Sequence, residues 1–179
     1  MTIYLIRHGK TEANEKHLYC GSTDIGLSEK GKEALCKLEY RISDVRRITS
    51  GMRRTNETFK LLFGDVPFGI EPRFREVDFG IFEMHSYEQL KNTTLYQTWI
   101  SGDNENNIPP WGESGAQMKK RVLEAFSELQ EDTLVITHGG VIATIMEHLF
   151  PEEGKNRYQW QPKPGYGYAI SNGKYTNIP

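Results

Sequence analysis

Four places in the chain carry side chains that could do chemistry together: Arg7-His8-Gly9, Arg53-Arg54, Glu76 and His138-Gly139-Gly140. Two guanidiniums and two imidazoles suit a dianionic phosphoryl group, because arginine offers planar, bidentate and permanently charged recognition. A histidine among them adds a nucleophile able to form a covalent intermediate. Glu76 supplies what remains, a carboxyl that can protonate a leaving oxygen. Each piece alone has a plainer reading. Arg7 and His8 could mark where a core strand surfaces, His138 could be a hydrogen-bonded core histidine, and Glu76 a surface carboxylate. The run Arg41, Arg46, Arg47, Arg53, Arg54 could be a solvated basic face.

The elements that must position these groups are legible as strands followed by helices. Thr2 to Ile6 is β-branched and aromatic and stops at Arg7-His8-Gly9; Ile48 to Ser50 is a short strand, and Leu134 to Thr137 a buried one that ends at His138. A short helix and a loop follow Thr11. Ser28 N-caps a helix with Ala34, Leu35, Leu38 and Ile42 at helical spacing, and a helix with Met52, Thr55, Phe59, Leu62 and Phe63 stops at Gly64. A short strand is expected near Phe68 to Ile70. Phe74 to Met84 reads as a site-facing loop. A capping box at Ser86 to Gln89 opens one helix through Leu90, Leu95, Tyr96, Trp99 and Ile100, and a polar loop returns the chain to a helix carrying Met118, Val122, Ala125, Phe126 and Leu129. Val141 to Leu149 is a buried helix ended by Pro151, and Tyr166 to Ile170 a last strand on a sheet edge. Alternating strands and helices predict an α/β fold, a three-layer αβα sandwich with a mainly parallel central sheet. Parallel strands place their carboxyl ends on one edge, where groups distant in sequence converge.

At 179 residues, 37% hydrophobic and 26% charged, the chain fits one domain, 1–179, since single domains run to ~100–200 residues; the segment around 76–115 reads as a lid-like excursion. The formal charge of −2 and pI near 6.2 give no global attraction to nucleic acid or an anionic membrane, so any anion site is local. Cys20 and Cys36 show no C-x-x-C spacing and read as free thiols. No stretch approaches the ~18 apolar residues of a membrane span, and the opening apolar run lacks a signal peptide's basic n-region, so a cytoplasmic protein is expected. Neither nucleic acid nor a membrane is an expected partner, and the sequence specifies no oligomeric state.

Arg7-His8-Gly9 with Thr11 and Asn14 resembles the R-H-G-x-T-x-x-N signature of the histidine phosphatase superfamily, also called phosphoglycerate mutase-like. Ser50 to Thr58 resembles its S-x-L-x-R-A-x-x-T segment, which assigns Arg54 rather than Arg53 to the phosphate. Arg75-Glu76-Val-Asp-Phe-Gly80, Gly112-Glu113-Ser114 and Thr137-His138-Gly139-Gly140 resemble later segments, in the family's order across nearly the whole chain. Lys10, Thr55 and Met84 depart from the family's usual Glu, Ala and Gly. The resemblance implies a phosphomonoesterase acting on a small phosphorylated metabolite. His8 would attack phosphorus, Arg7, Asn14, Arg54 and His138 would hold the equatorial oxygens, and Glu76 would act as acid and then base. Gly139 would offer an amide at a helix start, and Gly21 is a further candidate phosphate contact. No metal or organic cofactor is implied. A hydrolase using His8 and His138 as metal ligands is disfavoured by the arginines, which would repel a cation.

Within the family, Leu18-Tyr19-Cys20-Gly21 and Phe79-Gly80-Ile-Phe-Glu83-Met84 resemble α-ribazole-5′-phosphate phosphatases of cobalamin biosynthesis. A broad-specificity phosphatase is the close alternative. A phosphoglycerate mutase is a less favoured one, because the chain is short. A non-catalytic phospho-ligand binding module is disfavoured because nucleophile and acid are both present. Asp78 and Glu83 read as loop-ordering residues, His17, His85 and His148 as structural or rim residues, and Phe82, Trp99 and Trp111 as lid or core packing.

Overall fold

The structure, a computed structural model, describes residues 1–179. In chain order it comprises β1 (Thr2–Arg7), α1 (Glu12–Glu15), α2 (Glu29–Leu35), β2 (Arg46–Thr49), α3 (Arg53–Phe63), β3 (Gly69–Ile70), α4 (Tyr87–Leu90), α5 (Thr94–Ile100), α6 (Gly115–Ser127), β4 (Thr133–Thr137), α7 (Gly139–Leu149), α8 (Arg157–Trp160), β5 (Gly167–Ser171) and β6 (Lys174–Ile178).

The most completely buried strand takes the middle of the sheet. Every residue of β4 is buried, as expected of a strand covered on both faces, which has no polar side to alternate. It lies parallel to β1, with Ile3 opposite Thr133 and Arg7 opposite Thr137, and parallel to β2, with Thr49 opposite Ile136. The six strands run β3-β2-β4-β1-β5-β6. Ile3, Leu5 and Val135 face α6 and α7 in the larger core, while Ile6, Leu134 and Ile136 face Phe59 of α3 in the smaller. The mainly parallel sheet between helical layers is the expected architecture, and it brings the ends of β1, β2 and β4 to one edge.

Three sequence expectations are corrected, and a fourth point is an element that the periodicity does not show. First, α2 ends at Leu35, because Lys37 and Leu38 donate to carbonyls three residues back and tighten the last turn. Ile42 therefore lies outside the helix, although it packs on the same smaller core. Second, the capping box at Ser86 opens only the one-turn α4; a second cap, Thr93, whose side chain accepts from Tyr96 N, starts α5. Third, β5 is not an edge strand. β6 pairs with it from Gly167–Ile178 to Ser171–Lys174 across Asn172-Gly173, both at positive φ (50° and 68°), the turn chemistry of a two-residue hairpin. Fourth, α8 has no counterpart in the periodicity, being four residues capped by Asn156.

The excursion between β3 and α6 carries its own small core, Phe82, Leu90 and Tyr96, with Tyr19, Phe79 and Trp99 packed against it. An isolated bridge between Leu18 and Ser86 ties it to the loop after α1.

Candidate active site

At the end of β1, His8 is 6% exposed and its Nδ1 lies 2.7 Å from the carbonyl oxygen of Gly9. A carbonyl only accepts, so Nδ1 carries the proton and the Nε2 lone pair is free. Burial, then the charges of Arg54 and Arg7, push His8 well below the usual imidazole range, so the ring is neutral near pH 7. The turn is tied to α3: Gly9 N donates to Thr58 Oγ1 (2.9 Å), which donates to the carbonyl of Arg54 (2.7 Å).

Arg54 is 1% exposed, whereas Arg41, Arg46 and Arg53 are solvent-exposed and Arg47 half-buried, so Arg54 is the one fully buried arginine of the basic run. Its Nη1 and Nη2 donate to the carbonyls of Thr23 (2.8 Å) and Gly21 (2.7 Å). Gly21 in turn donates its N–H to Glu83 (3.0 Å to Oε1). Both backbone groups of Gly21 are thus engaged within the chain, and its geometry anchors Arg54 instead of offering a free amide. A Cβ at Gly21 would sit 1.6 Å from the carbonyl oxygen of Val77, which excludes any other residue from this backbone.

Glu76 reaches the start of α7, with Oε2 accepting from Gly140 N (2.9 Å) and Oε1 from Val77 N (3.0 Å). A Cβ on Gly140 would stand 2.4 Å from Glu76 Oε1, and one on Gly139 would stand 3.1 Å from Arg7 Cζ. The paired glycines therefore make room for an acid and a guanidinium against the first turn of a helix. Arg7 donates to the carbonyl of Pro162 through Nη1 (2.9 Å), and its buried Nε has no partner in the chain. The Glu76 segment is fastened by Thr137 Oγ1, which donates to the carbonyl of Phe74 (2.7 Å).

His138 is fully buried, its ring centroid 5.1 Å from that of His8 in an edge-on arrangement at 64°. Its Nε2 lies 2.8 Å from Ser50 Oγ, and its buried Nδ1 has no partner in the chain. Burial comes first, followed by Arg54, His8, Arg121 and Arg7, in pushing it well below the usual range. Arg7, His8, Arg54, Glu76 and His138 thus gather within electrostatic reach of one another at the strand ends.

The histidine phosphatase superfamily (branch 1) matches residues 3–167. The chain belongs to the histidine phosphatase superfamily. It is similar to the adenosylcobalamin/α-ribazole phosphatase of Salmonella typhimurium, with 31% identity over 183 residues, 95% of this chain and 90% of the relative. Its fold matches that of an α-ribazole-5′-P phosphatase candidate from Escherichia coli, with a TM-score of 0.84 and 29% identity over 99% of this chain and 94% of the other. A phosphoglycerate mutase from Thermus thermophilus shares the fold, with a TM-score of 0.81 at 24% identity over 100% of this chain and 99% of the other. As a member of this superfamily the protein is a phosphatase.

On this phosphatase Asn14 closes a capping box with Thr11, its Oδ1 accepting from Thr11 N (3.0 Å), and it lines a recess with Gly9, Lys10 and Lys30. His17 and His148 are solvent-exposed, and His85 Nδ1 donates to the carbonyl of Glu83 (2.9 Å). Glu83 accepts from the amides of Gly21, Ser22, Thr23 and Phe79 and from the Thr23 hydroxyl, so it orders the loop that holds Arg54. Phe82 is core and Trp99 half-buried, whereas Trp111 is 90% exposed and packs in neither lid nor core.

Sequence reasoning did not single out Arg121. It pairs bidentately with Glu113 (2.7 Å to each oxygen) and donates to the carbonyls of Arg73, Arg75 and Glu76, clamping the backbone that carries Glu76. Its signal was a lone arginine on a helix eight residues after the glutamate of Gly-Glu-Ser, which is no motif. A cavity of about 310 Å³ opens from Glu76 and Gly140, walled by Tyr19, Phe79, Tyr96, Trp99 and Tyr158, with Glu105 and Arg157 (3.4 Å apart) among its lining residues.

Proposed function

We propose that this phosphatase hydrolyses a phosphomonoester through a phosphohistidine, within one domain whose 76–115 excursion covers the leaving group, and that its substrate is α-ribazole 5′-phosphate. The observation that carries the chemistry is His8, buried and neutral, with its Nε2 free and two guanidiniums in its surroundings. In the first step His8 Nε2 attacks phosphorus in line, the ester P–O bond breaks, and Glu76 gives its proton to the leaving oxygen. In the second, Glu76 takes a proton from water, the new P–O bond forms and N–P breaks, returning His8 and releasing phosphate. Arg7, Arg54 and His138 face the equatorial oxygens and stabilise the charge they carry in the transition state. Asn14 is a further phosphate contact through its amide nitrogen, and Gly139 through the helix start; Gly21 acts through Arg54.

The substrate reading is supported by the name of the Salmonella relative and by the adjoining cavity. Its aromatic walls suit a flat base, which stacks offset or edge-on against such rings. The one lining cation, Arg157, is paired with Glu105 (3.4 Å), and lining Glu113 is paired with Arg121, so the cavity presents no unpaired cation. That charge balance disfavours a leaving group bearing a second anion, such as a glycerate carboxylate or another phosphate. A metal-free panel of α-ribazole 5′-phosphate, 3-phosphoglycerate, sugar phosphates and nucleotides tests this by kcat/KM. The ribazole ester is expected to lead by about tenfold or more, the worth of ~1.4 kcal/mol in the transition state. A flat ranking would favour a broad-specificity phosphatase.

A further inference from the structure

Beside His138, three hydroxyl and carbonyl groups form a buried chain. His138 Nε2 is 2.8 Å from Ser50 Oγ, Ser50 Oγ is 3.0 Å from Thr55 Oγ1, and Thr55 Oγ1 donates to the carbonyl of Met52 at 2.8 Å. Ser50, Thr55 and His138 are all fully buried. Directionality follows from counting protons. A carbonyl only accepts, so the single Thr55 proton is spent on Met52, and Thr55 can only accept from Ser50. The single Ser50 proton is then spent on Thr55, leaving Ser50 Oγ to accept from His138 Nε2. Meanwhile Nδ1 is the buried atom of this ring with no partner in the chain.

We infer that Thr55 is a positioning residue that fixes the tautomer of His138, keeping its proton on Nε2 so that the unpartnered Nδ1 presents a lone pair. An oxyanion is then held by His138 only when Nδ1 gains a proton, drawn from solvent for a dianion or brought by the ligand itself. The imidazolium so formed has its other N–H already aimed down the Ser50-Thr55-Met52 chain. The charges and rings that act on His138 are those of Arg54 on α3, His8 just past β1, Arg121 on α6 and Arg7 on β1, with the Glu76 carboxylate on the amide of Gly140, two residues on. The cations keep the ring neutral until an anion offsets them. Without the Thr55 hydroxyl, the remaining acceptor for Ser50 is His138 Nε2, and the ring proton moves to Nδ1.

The oxyanion half of this inference rests on the proposed phosphate site; the tautomer half does not. The test uses the full chain, ¹⁵N-labelled at histidine, as wild type, Thr55→Ala and Thr55→Ser, with a His8→Asn spectrum to separate the two ring assignments. The expected result is His138 protonated on Nε2 in wild type and Thr55→Ser, and on Nδ1 in Thr55→Ala. Protonation on Nδ1 in wild type, or an unchanged tautomer in Thr55→Ala, overturns it. Sulfate, a dianion throughout pH 6–8, is then used as a competitive inhibitor. Its Ki is expected to rise with pH more steeply in wild type and Thr55→Ser than in Thr55→Ala, by about tenfold per pH unit, the slope of one linked proton. Equal slopes overturn the proton coupling. Failure of sulfate to compete in any variant counts against the phosphate site, while the spectra still decide Thr55.

Discussion

Glu76 lies against Gly140, its Oε2 accepting the glycine amide at 2.9 Å while its Oε1 would collide with any Cβ placed there, at 2.4 Å. A helix start and a proposed acid are thus fitted to each other with no space between them. Gly140→Ala is expected to displace the Glu76 carboxyl while leaving His8 and the arginines in place. Its kcat on alkyl phosphates should fall by roughly 10²-fold, the cost of a misplacement near 1 Å. Steady-state kinetics with α-ribazole phosphate would show this, and an unchanged kcat would remove Glu76 from the reaction.

Glu76→Gln keeps the shape and loses the transferable proton. We expect a loss of about 10²–10⁴-fold on alkyl esters and a much smaller one on p-nitrophenyl phosphate, whose leaving group departs without a proton. Parallel losses on the two substrates would argue against the acid role.

His8→Ala should abolish turnover, by on the order of 10⁴-fold or more, as removal of a nucleophile does elsewhere. Its circular dichroism should be unchanged, and the phosphohistidine trapped by rapid alkaline quench of the wild-type reaction should be missing from the variant. Retained turnover would overturn the covalent mechanism.

His8 and His138 are both held well below the ordinary imidazole value by burial and then by arginines. The unfolded chain therefore binds more protons than the folded one wherever the pH lies below the unfolded value of about 6.5 and above the folded ones. Stability is full above that value and is lost as pH falls through it, by up to about 1.4 kcal/mol per pH unit for each ring. Thermal denaturation between pH 7.5 and 5 should show a falling Tm that the His8→Asn, His138→Asn double variant flattens. The same depression keeps His8 a nucleophile, so kcat/KM should persist below pH 6.5; an acid limb at 6.5 would contradict the burial argument.

Trp99 packs with Tyr19, Phe79, Phe82 and Tyr96 at centroid distances of 5.1–6.1 Å and lines the cavity. Trp99→Leu should raise KM for α-ribazole phosphate about tenfold, in line with an aromatic contact worth ~0.5–1.5 kcal/mol, and leave p-nitrophenyl phosphate hydrolysis nearly unchanged. A uniform loss on both would make Trp99 structural only.

Much of the fold was legible because local chemistry and global position agree. β4 is an unbroken buried run and takes the centre of the sheet; Ser28 caps α2 and Gly64, at φ +81°, ends α3. The failures came where tertiary packing used a residue differently from its local pattern. Ile42 kept helical spacing yet packs from a loop, and β5 read as an edge until the Asn172-Gly173 turn supplied β6.

For the site, the sequence by itself determined the candidate residue types and their chain positions: an arginine and a histidine closing one strand, a histidine closing another, an arginine in the first turn of a helix, and a glutamate in a loop. Parallel topology then made their meeting geometrically natural. Only the tertiary structure decided what each group is bound to, because hydrogen bonds between residues tens of positions apart leave no local periodicity. Gly21 holds Arg54 through its carbonyl, Arg121 grips the backbone of Glu76, and Thr55 sets the proton on His138 through Ser50. Burial away from water is what gives those contacts their effect, holding both imidazoles neutral among arginines.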